Sequence, residues 1–410
     1  MQYLKETIRH AVTHVPYYAS LGLPPTADIS TFPILTRRLL REHYADLQSR
    51  DRGRRGWSKA CSGGSTGEPV WVVRDRGFRH WDHAADMYYL SILLGMPISY
   101  YLSHHRLSLW HRRGRSRSSL SPVDWAAGLL KQCTYLEPYT VTSDETLLRD
   151  IGTLNRTRPV VIWGYASSLH QLARFAGQRS IPLHRPRFII SSVEMLYPAM
   201  REAIAQAFGC PVYDNYGATE VGRVAAECTR GRLHVFTFNN HIEVLDPAGR
   251  PAAPGEEGRL VITPVHNRAM PLLRYDIGDL ARVSKDDCPC GSPLPVLGKI
   301  TGRVIERFVT ADGRTVYGGY FIAVFYEHEW ISEVQVLQQD VDLITIYYRK
   351  MPGCVIPSQA MAQIDDAVRE VMGASCRIEW LEVDAVPRTP IGKHLHARSL
   401  VWEERQRRDM

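Results

Sequence analysis

A rhythm of strands and helices that starts at Thr146 constrains this chain most. A helical stretch leads to the β-prone run Pro159-Val160-Val161-Ile162-Trp163, and Gly164-Tyr165-Ala166-Ser167-Ser168 opens the next helix. Phe188-Ile189-Ile190-Ser191-Ser192 is a second strand, followed by Val193-Glu194 and a helix from Pro198 to Phe208. The chain then enters Cys210-Pro211-Val212-Tyr213-Asp214-Asn215-Tyr216-Gly217-Ala218-Thr219-Glu220-Val221-Gly222. Apolar strands alternating with helices form a mostly parallel sheet, whose ligands gather at the C-terminal ends of the strands. Trp163-Gly164-Tyr165, Glu194 and Tyr216-Gly217 are therefore expected along one rim. Tyr216 to Glu220 supplies an aromatic face, a backbone bend at glycine, and a magnesium-competent acid within five residues. Alone, that stretch reads equally as a strand entering a turn with an exposed acid.

Residues 1–50 read as helical scaffold. One helix is spaced on Tyr3 to Val12 and must stop before Val15-Pro16; another is expected from Thr36 to Leu47. Lys59-Ala60-Cys61-Ser62-Gly63-Gly64-Ser65-Thr66-Gly67-Glu68-Pro69-Val70 then precedes the strand-like Trp71-Val72-Val73. Glycines interleaved with hydroxyls let backbone N–H groups converge on phosphate oxygens. It is no Walker loop, because no Gly-Lys-Ser/Thr follows, and it opens a hairpin rather than a helix. A flexible Gly/Ser turn is the plainer alternative. An aromatic-rich helix is expected over 78–102. The segment around Arg112, Arg113, Arg115 and Arg117 is either a solvated loop or a contact for an anionic carrier or cofactor.

From about residue 232 to 283 the texture is β-rich, with strands His241–Leu245, Gly258–Thr263 and Leu272–Asp279 and a turn at Asp246-Pro247-Ala248-Gly249. Arg274-Tyr275-Asp276-Ile277-Gly278-Asp279 sets two carboxylates near a glycine bend, apt for two ribose hydroxyls. After Ile300-Thr301-Gly302-Arg303 comes a smaller α/β segment, ending in Val386-Pro387-Arg388-Thr389-Pro390-Ile391-Gly392-Lys393. At 410 residues two or more domains are the default.

The hydrophobic fraction of 44% and charged fraction of 23% are those of a soluble globular protein. No apolar run approaches a membrane span and the N-terminus lacks a signal-peptide core, so a cytoplasmic location is expected. The net charge of +7 suits ATP or coenzyme A, and equally nucleic acid or an anionic surface. The eight cysteines do not form a secreted disulfide framework. Cys228, His234, Cys288 and Cys290 offer three thiolates and an imidazole, a closed structural zinc set. Their spacing departs from common zinc fingers, and unpaired cysteines are the alternative.

Ser62-Gly63-Gly64-Ser65-Thr66-Gly67, Tyr216-Gly217-Ala218-Thr219-Glu220, Arg274-Tyr275-Asp276-Ile277-Gly278-Asp279, Thr301-Gly302-Arg303 and Pro390-Ile391-Gly392-Lys393 occur here in the order of the adenylate-forming superfamily of acyl-CoA synthetases. The chain most resembles the phenylacetate–CoA ligase branch that includes CapK proteins. The His10-to-Tyr18 opening and the Cys-x-Cys-Gly pattern point the same way.

The resemblance implies an α/β fold: a large adenylate-forming domain over 1–303, with mostly parallel sheets and a β-rich subdomain, and a small mobile α+β lid over 304–410. It implies ATP-dependent activation of a carboxylic acid as acyl-adenylate, then transfer to CoA, with pyrophosphate and AMP as products. By position, Ser62 to Gly67 would grip the ATP phosphates. Tyr216 would stack on adenine, beside Gly217, with Asp214 as acceptor for the amino group. Glu220 would hold magnesium, helped by Thr219; Asp279 would bind the ribose, and Arg303 would lie near ribose and hinge. Glu194 joins this nucleotide rim, and Lys393 would reach the carboxylate and α-phosphate. The branch often carries cysteines and histidine where Cys228, His234, Cys288 and Cys290 stand.

Glu306 occupies the place of the usual hinge Asp, and Phe308 to Arg314 is not the usual glycine-rich hinge strand. That bears on the CoA half-reaction more than on adenylation. Trp163, Gly164 and Tyr165 would line the acyl pocket and favour a flat or aromatic acid, or would merely pack the sheet. Two alternatives stand beside the CoA ligase: a ligase passing the acyl group to an amine or hydroxyl, and a non-catalytic nucleotide-binding zinc protein. A small carboxylic acid is the expected partner; nucleic acid is not expected, and a homodimer is left open.

Overall fold

The computed structural model describes residues 2–54, 56–61, 70–109, 132–136, 144–303, 307–326, 328, 330–351, 353–387 and 395–408. The expectations at Ser62–Gly67, Arg112–Arg117, Glu306 and Lys393 lie outside the described residues. The chain forms two compact units: Met1–His104 with Tyr213–Thr301, and His105–Val212 with Gly302–Met410.

The first unit opens with the helix Gln2–His14, which buries Thr7, Ile8 and Ala11. Val15 is extended and Pro16 starts a short second helix, Pro16–Ala19, the break that a proline's missing N–H and preceding residue demand. The next helix is shorter than its pattern promised, Arg37–Glu42, with Thr36 as its cap. Tertiary hydrogen bonds, Tyr17 N to Asp46 O and Ser49 N to Ala269 O, draw the following residues out of helix. The aromatic helix is also divided. It runs Arg76–Tyr88, capped by Asp75, widens into a π-helical turn at Tyr89–Leu93, breaks around Gly95 and Pro97, and resumes at Ile98–Ser103.

Strands Ser58–Cys61 and Trp71–Arg74 form an antiparallel hairpin, as expected for the flanks of the Gly/Ser stretch. The β-rich region is an antiparallel arrangement: Asn240–Leu245 pairs with Glu257–Pro264, which pairs with Tyr275–Val283. The last strand starts at Tyr275 rather than Leu272, because Arg274 sits at φ 49°, outside the β region. Arg274 is pinned there by Glu243, through two guanidinium nitrogens, and by the carbonyls of Ser30 and Phe32.

The second unit holds the parallel strands that the rhythm foretold. Cys133–Leu136, Arg106–Leu109, Val161–Tyr165 and Phe188–Ser192 lie in that order, all parallel. The strand expected at 159–163 is displaced two residues because Pro159 cannot donate to a ladder. Helices Asp144–Thr157, Ala166–Gln178 and Pro198–Phe208 contribute Leu154, Leu169, Leu172, Ile204 and Phe208 to the core with Ile162 and Ile189. Gly209, at φ 64°, ends the last of these helices.

The C-terminal segment of this unit has a separate core of Phe308, Phe321, Phe325, Trp330, Val336 and Ile346. Its four strands run in the order Arg377–Glu382, Leu343–Lys350, Ile331–Asp340, Ala397–Ser399, mixing parallel and antiparallel pairs. Helices Gly319–Tyr326, Ala360–Met372 and Leu400–Arg408 accompany them. Among the described residues no helix is long and apolar enough to cross a membrane.

Candidate active site

The strand Val212–Ala218 continues through Gly217, where a bend was expected; the turn comes after it, at Thr219–Val221. Gly217 is needed for a different reason. A Cβ there would lie 2.5 Å from the carbonyl oxygen of Gly222 on the returning strand Gly222–Glu227. The register slips between Tyr216 and Gly217, so a bulge turns the strand end just where Tyr216 emerges.

Tyr216 donates its hydroxyl hydrogen to Asp279 Oδ2 over 2.6 Å. Asp279 reaches it from a second irregularity: the Tyr275–Val283 strand slips register opposite Arg259 and Val261, and Gly278 takes φ 81°. The paired carboxylates of that motif divide their work. Asp276 accepts the N–H of Gly278 at 2.9 Å and pairs with Arg259 at 3.4 Å, so it secures the bend. Burial pushes its carboxyl up, against Arg259 and the Gly278 N–H. Asp279 is the acid presented to Tyr216.

Glu220 is 2% exposed. Its Oε1 accepts the hydroxyl of Tyr275 at 3.3 Å and lies 3.6 Å from the guanidinium of Arg37. Arg74, from the hairpin that flanks the Gly/Ser stretch, donates to the carbonyl of Thr219. Burial works against the charge of Arg37, and Tyr275, Glu220 and Asp279 outweigh it, holding the guanidinium above its ordinary range. Burial is also the main cause that raises the Tyr275 phenol, with Glu220 adding to it.

Neither arginine was anticipated: residues 1–50, which include Arg37, read as scaffold, and Trp71-Val72-Val73, just before Arg74, read only as a strand. One signal was available: Arg37 is the first residue of its helix, where the helix dipole disfavours a cation.

In the second unit the strand ends Trp163-Gly164-Tyr165 and Ile190-Ser191-Ser192 are direct neighbours in register. Glu194 follows at once, 6% exposed, and its Oε2 accepts the N–H of Ser167 at 2.9 Å in the first turn of the helix Ala166–Gln178. That is a favourable seat for a carboxylate. Val193, between strand and acid, is held at φ 78°, a conformation that costs a β-branched residue roughly 1–3 kcal/mol. Gly164 is set by packing: a Cβ there would lie 3.0 Å from Leu109 Cβ. Tyr165 is buried and Trp163 is half-buried.

Asp214 donates its backbone N–H to Glu227 at 2.8 Å, across the 212–218 and 222–227 pair. Arg303 is the last residue of the strand Val296–Arg303.

Cys228, His234, Cys288 and Cys290 do converge. One ligand atom from each lies within 4.8 Å of all the others. Cys228 Sγ and Cys288 Sγ are 3.6 Å apart, and Cys290 Sγ is 3.3 Å from His234 Nε2. Tetrahedral zinc with bonds of about 2.0–2.3 Å sets its ligands roughly 3.4–3.8 Å apart. His234 Nδ1 donates to Leu294 O at 2.8 Å, which leaves the Nε2 lone pair facing Cys290. Arg230 N and Ser292 N point at the sulfurs of Cys228 and Cys290, at 3.4 and 3.5 Å. The donor set fits a closed, four-coordinate metal.

Comparison with known proteins agrees with this architecture. The AMP-binding enzyme family matches residues 125–266 and the CapK C-terminal domain matches residues 308–397. Protein CapK of Staphylococcus aureus is 23% identical over 377 residues, covering 90% of this chain and 79% of the relative. Phenylacetate-coenzyme A ligase of Aromatoleum evansii is 22% identical over 436 residues, covering 96% and 92%. The crystal structure of 2-hydroxyisobutyryl-CoA ligase in the postadenylation state superposes with a TM-score of 0.72 at 18% identity, covering 99% of this chain and 90% of that one. Over most of its length the chain is similar to the phenylacetate–CoA ligase and CapK-like branch of the adenylate-forming superfamily.

Proposed function

We propose that this protein activates a carboxylic acid with ATP as an acyl-adenylate and passes the acyl group to CoA as a thioester. The observation that carries the reading is the buried acid pair, Glu220 and Asp279, held at a bulged strand rim by Tyr216, Tyr275 and Arg37. Tyr216 presents a ring for adenine, and Asp279 an acid for the ribose hydroxyls, with Asp214 and Gly217 on the same strand. Ser62, Gly63, Gly64, Ser65, Thr66 and Gly67, between the hairpin strands, take the phosphates. Glu194 orders the start of the 166–178 helix, and Arg303 stands where the chain enters the lid.

Attack of a carboxylate on the α-phosphate builds negative charge in a loose transition state, which cations and aimed N–H groups stabilise. Lys393 supplies that cation from the small domain, 304–410, which acts as a lid. Glu220 and Thr219 offer the oxygen ligands that magnesium takes; the ion would contribute charge neutralisation at the phosphates. Cys228, His234, Cys288 and Cys290 hold zinc as a structural brace. Trp163 and Tyr165, with Gly164 between them, favour a flat or aromatic acid. A cytoplasmic location accords with this chemistry.

The test is ATP–pyrophosphate exchange against a panel of carboxylic acids, with and without CoA, for wild type and Lys393→Ala. Acid-dependent exchange that Lys393→Ala abolishes, with CoA consumed, is the expected result. Exchange without CoA consumption redirects the acyl group to an amine or hydroxyl. Undiminished acyl-AMP formation by Lys393→Ala refutes the lysine's role.

A further inference from the structure

The helix Gln2–His14 places His10 and His14 one turn apart on one face. Their rings stack, with centroids 4.7 Å apart and 13° between the planes. Asp51 meets them from a turn that the backbone fixes: Arg50 N donates to His14 O at 3.0 Å, and Ser49 N to Ala269 O at 2.9 Å. One ligand atom from each of His10, His14 and Asp51 lies within 4.8 Å of the other two. His10 Nε2 is 3.9 Å from Asp51 Oδ1. Two imidazoles at i and i+4 on a helix, joined by a carboxylate from elsewhere in the chain, are a recurring way to hold a transition metal.

Hydrogen bonding accounts for part of this cluster. His10 Nε2 donates to Arg268 O at 2.9 Å, with Ser49 Oγ 3.2 Å away, and Ser49 Oγ donates to Asp51 Oδ1 at 2.6 Å. Those bonds leave His14 over. Its Nδ1 is buried with no hydrogen-bond partner among the described residues, a costly state for a polar atom. Electrostatics favours a cation at the same place. His14 ends its helix, at the negative end of the dipole, and Asp51 adds a carboxylate.

We propose that His10, His14 and Asp51 form a second metal site, for a divalent cation of the zinc, cobalt or nickel kind. It shares no residue with the Cys228, His234, Cys288 and Cys290 set. Two nitrogens and an oxygen suit such borderline cations, whereas magnesium and calcium take oxygen ligands. Tetrahedral zinc sets N and O ligands about 3.3–3.6 Å apart, so the side chains draw in by roughly 1 Å on binding. His10 must then present a ring lone pair. Its Nε2 hydrogen moves to Nδ1, and the lone pair left on Nε2 takes the metal with no net proton released. Water fills the fourth position. A metal so held ties the first helix to the turn that leads into the hairpin strand Ser58–Cys61.

The experiment adds one equivalent of zinc to the full-length protein, titrates cobalt(II), and reads the absorption spectrum and melting temperature. Wild type should take one cobalt at micromolar metal, with visible ligand-field bands and no thiolate charge-transfer band, and should melt higher for it. His14→Gln and Asp51→Asn, each shown to be folded by circular dichroism, should weaken that binding about tenfold or more and lose the thermal gain. His83→Ala, at an exposed histidine of another helix, should do neither.

A spectrum with thiolate bands alone, or binding that needs millimolar cobalt, overturns the proposal. So does wild-type affinity in either His14→Gln or Asp51→Asn. Where one of the two fails to fold, the other decides.

Discussion

Tyr216 and Asp279 share a 2.6 Å hydrogen bond between side chains sixty-three residues apart, and each emerges where its strand loses register. Two bulges thus aim two side chains at one point. Tyr216→Phe keeps the ring and removes the donor. A lost hydrogen bond to a charged group costs about 1.5–3 kcal/mol. The unfolding free energy from urea titration should fall by that amount, and Tyr216→Phe in an Asp279→Asn background should cost clearly less. Equal costs in both backgrounds would show that the bond contributes nothing.

Gly217 has a backbone oxygen, that of Gly222, where its Cβ would be, 2.5 Å away. Backbone cannot swing aside as a flexible side chain can. Gly217→Ala should destabilise by at least about 1–3 kcal/mol and reduce nucleotide binding, because the strands that carry Tyr216 and Glu220 must part. Gly53→Ala is the control for side-chain addition at a glycine with open space around it and no positive φ. A melting temperature for Gly217→Ala equal to the control's would refute the steric account.

The Cys228, His234, Cys288 and Cys290 set should return close to one zinc per chain by elemental analysis. Cys290→Ser should lower that ratio and the melting temperature together, since binding energy at such a site is folding energy. A ratio near zero in wild-type protein purified without chelator would remove zinc from the description.

His170 lines a small cavity with Arg174, Glu333 and His396. Burial, then Arg174 and His396, push its imidazole down to about 3. Between that value and the ordinary value near 6.5, the unfolded chain binds a proton that the folded chain does not, so acid favours unfolding. Stability from this residue is fully present above about pH 6.5 and is lost at up to about 1.4 kcal/mol per pH unit as pH falls below it. His170→Gln should lessen the drop in unfolding free energy between pH 7 and pH 5. An unchanged drop would assign acid sensitivity to other groups.

The sequence spoke most clearly where burial on two faces left little freedom. Phe188–Ser192 and Pro198–Phe208 fell where their apolar pattern put them, because a parallel strand covered on both sides must be apolar throughout. The helix end before Pro16 was equally plain. Patterns failed where tertiary contacts outweighed propensity. Leu47 kept the helical spacing, yet the bond from Ser49 to Ala269 turned the chain away. Gly95 and Pro97 punctuated a helix that the aromatic stripe made look continuous.

Within the candidate site, Tyr216, Glu220 and Asp279 could be picked by residue type and order. Their partners could not. Arg37 and Arg74 belong to segments whose nearness follows from folding, and no local spacing announces it. Gly217 was recognised as special for the wrong reason: a close strand, not a bend, requires it.

The two units are interleaved along the chain, with Tyr213–Thr301 completing the first and Gly302–Met410 the second. During synthesis the first unit has all its residues once Thr301 has emerged. The strands Arg106–Leu109 to Phe188–Ser192 of the second are made earlier still, and the described residues of their core end at Val212. What remains is the separate core around Phe308 and Phe321. At about 5–20 residues per second, that stretch takes on the order of 5–20 s to appear. A nascent chain stalled after Thr301 therefore already holds the residues of two cores and lacks those of the third.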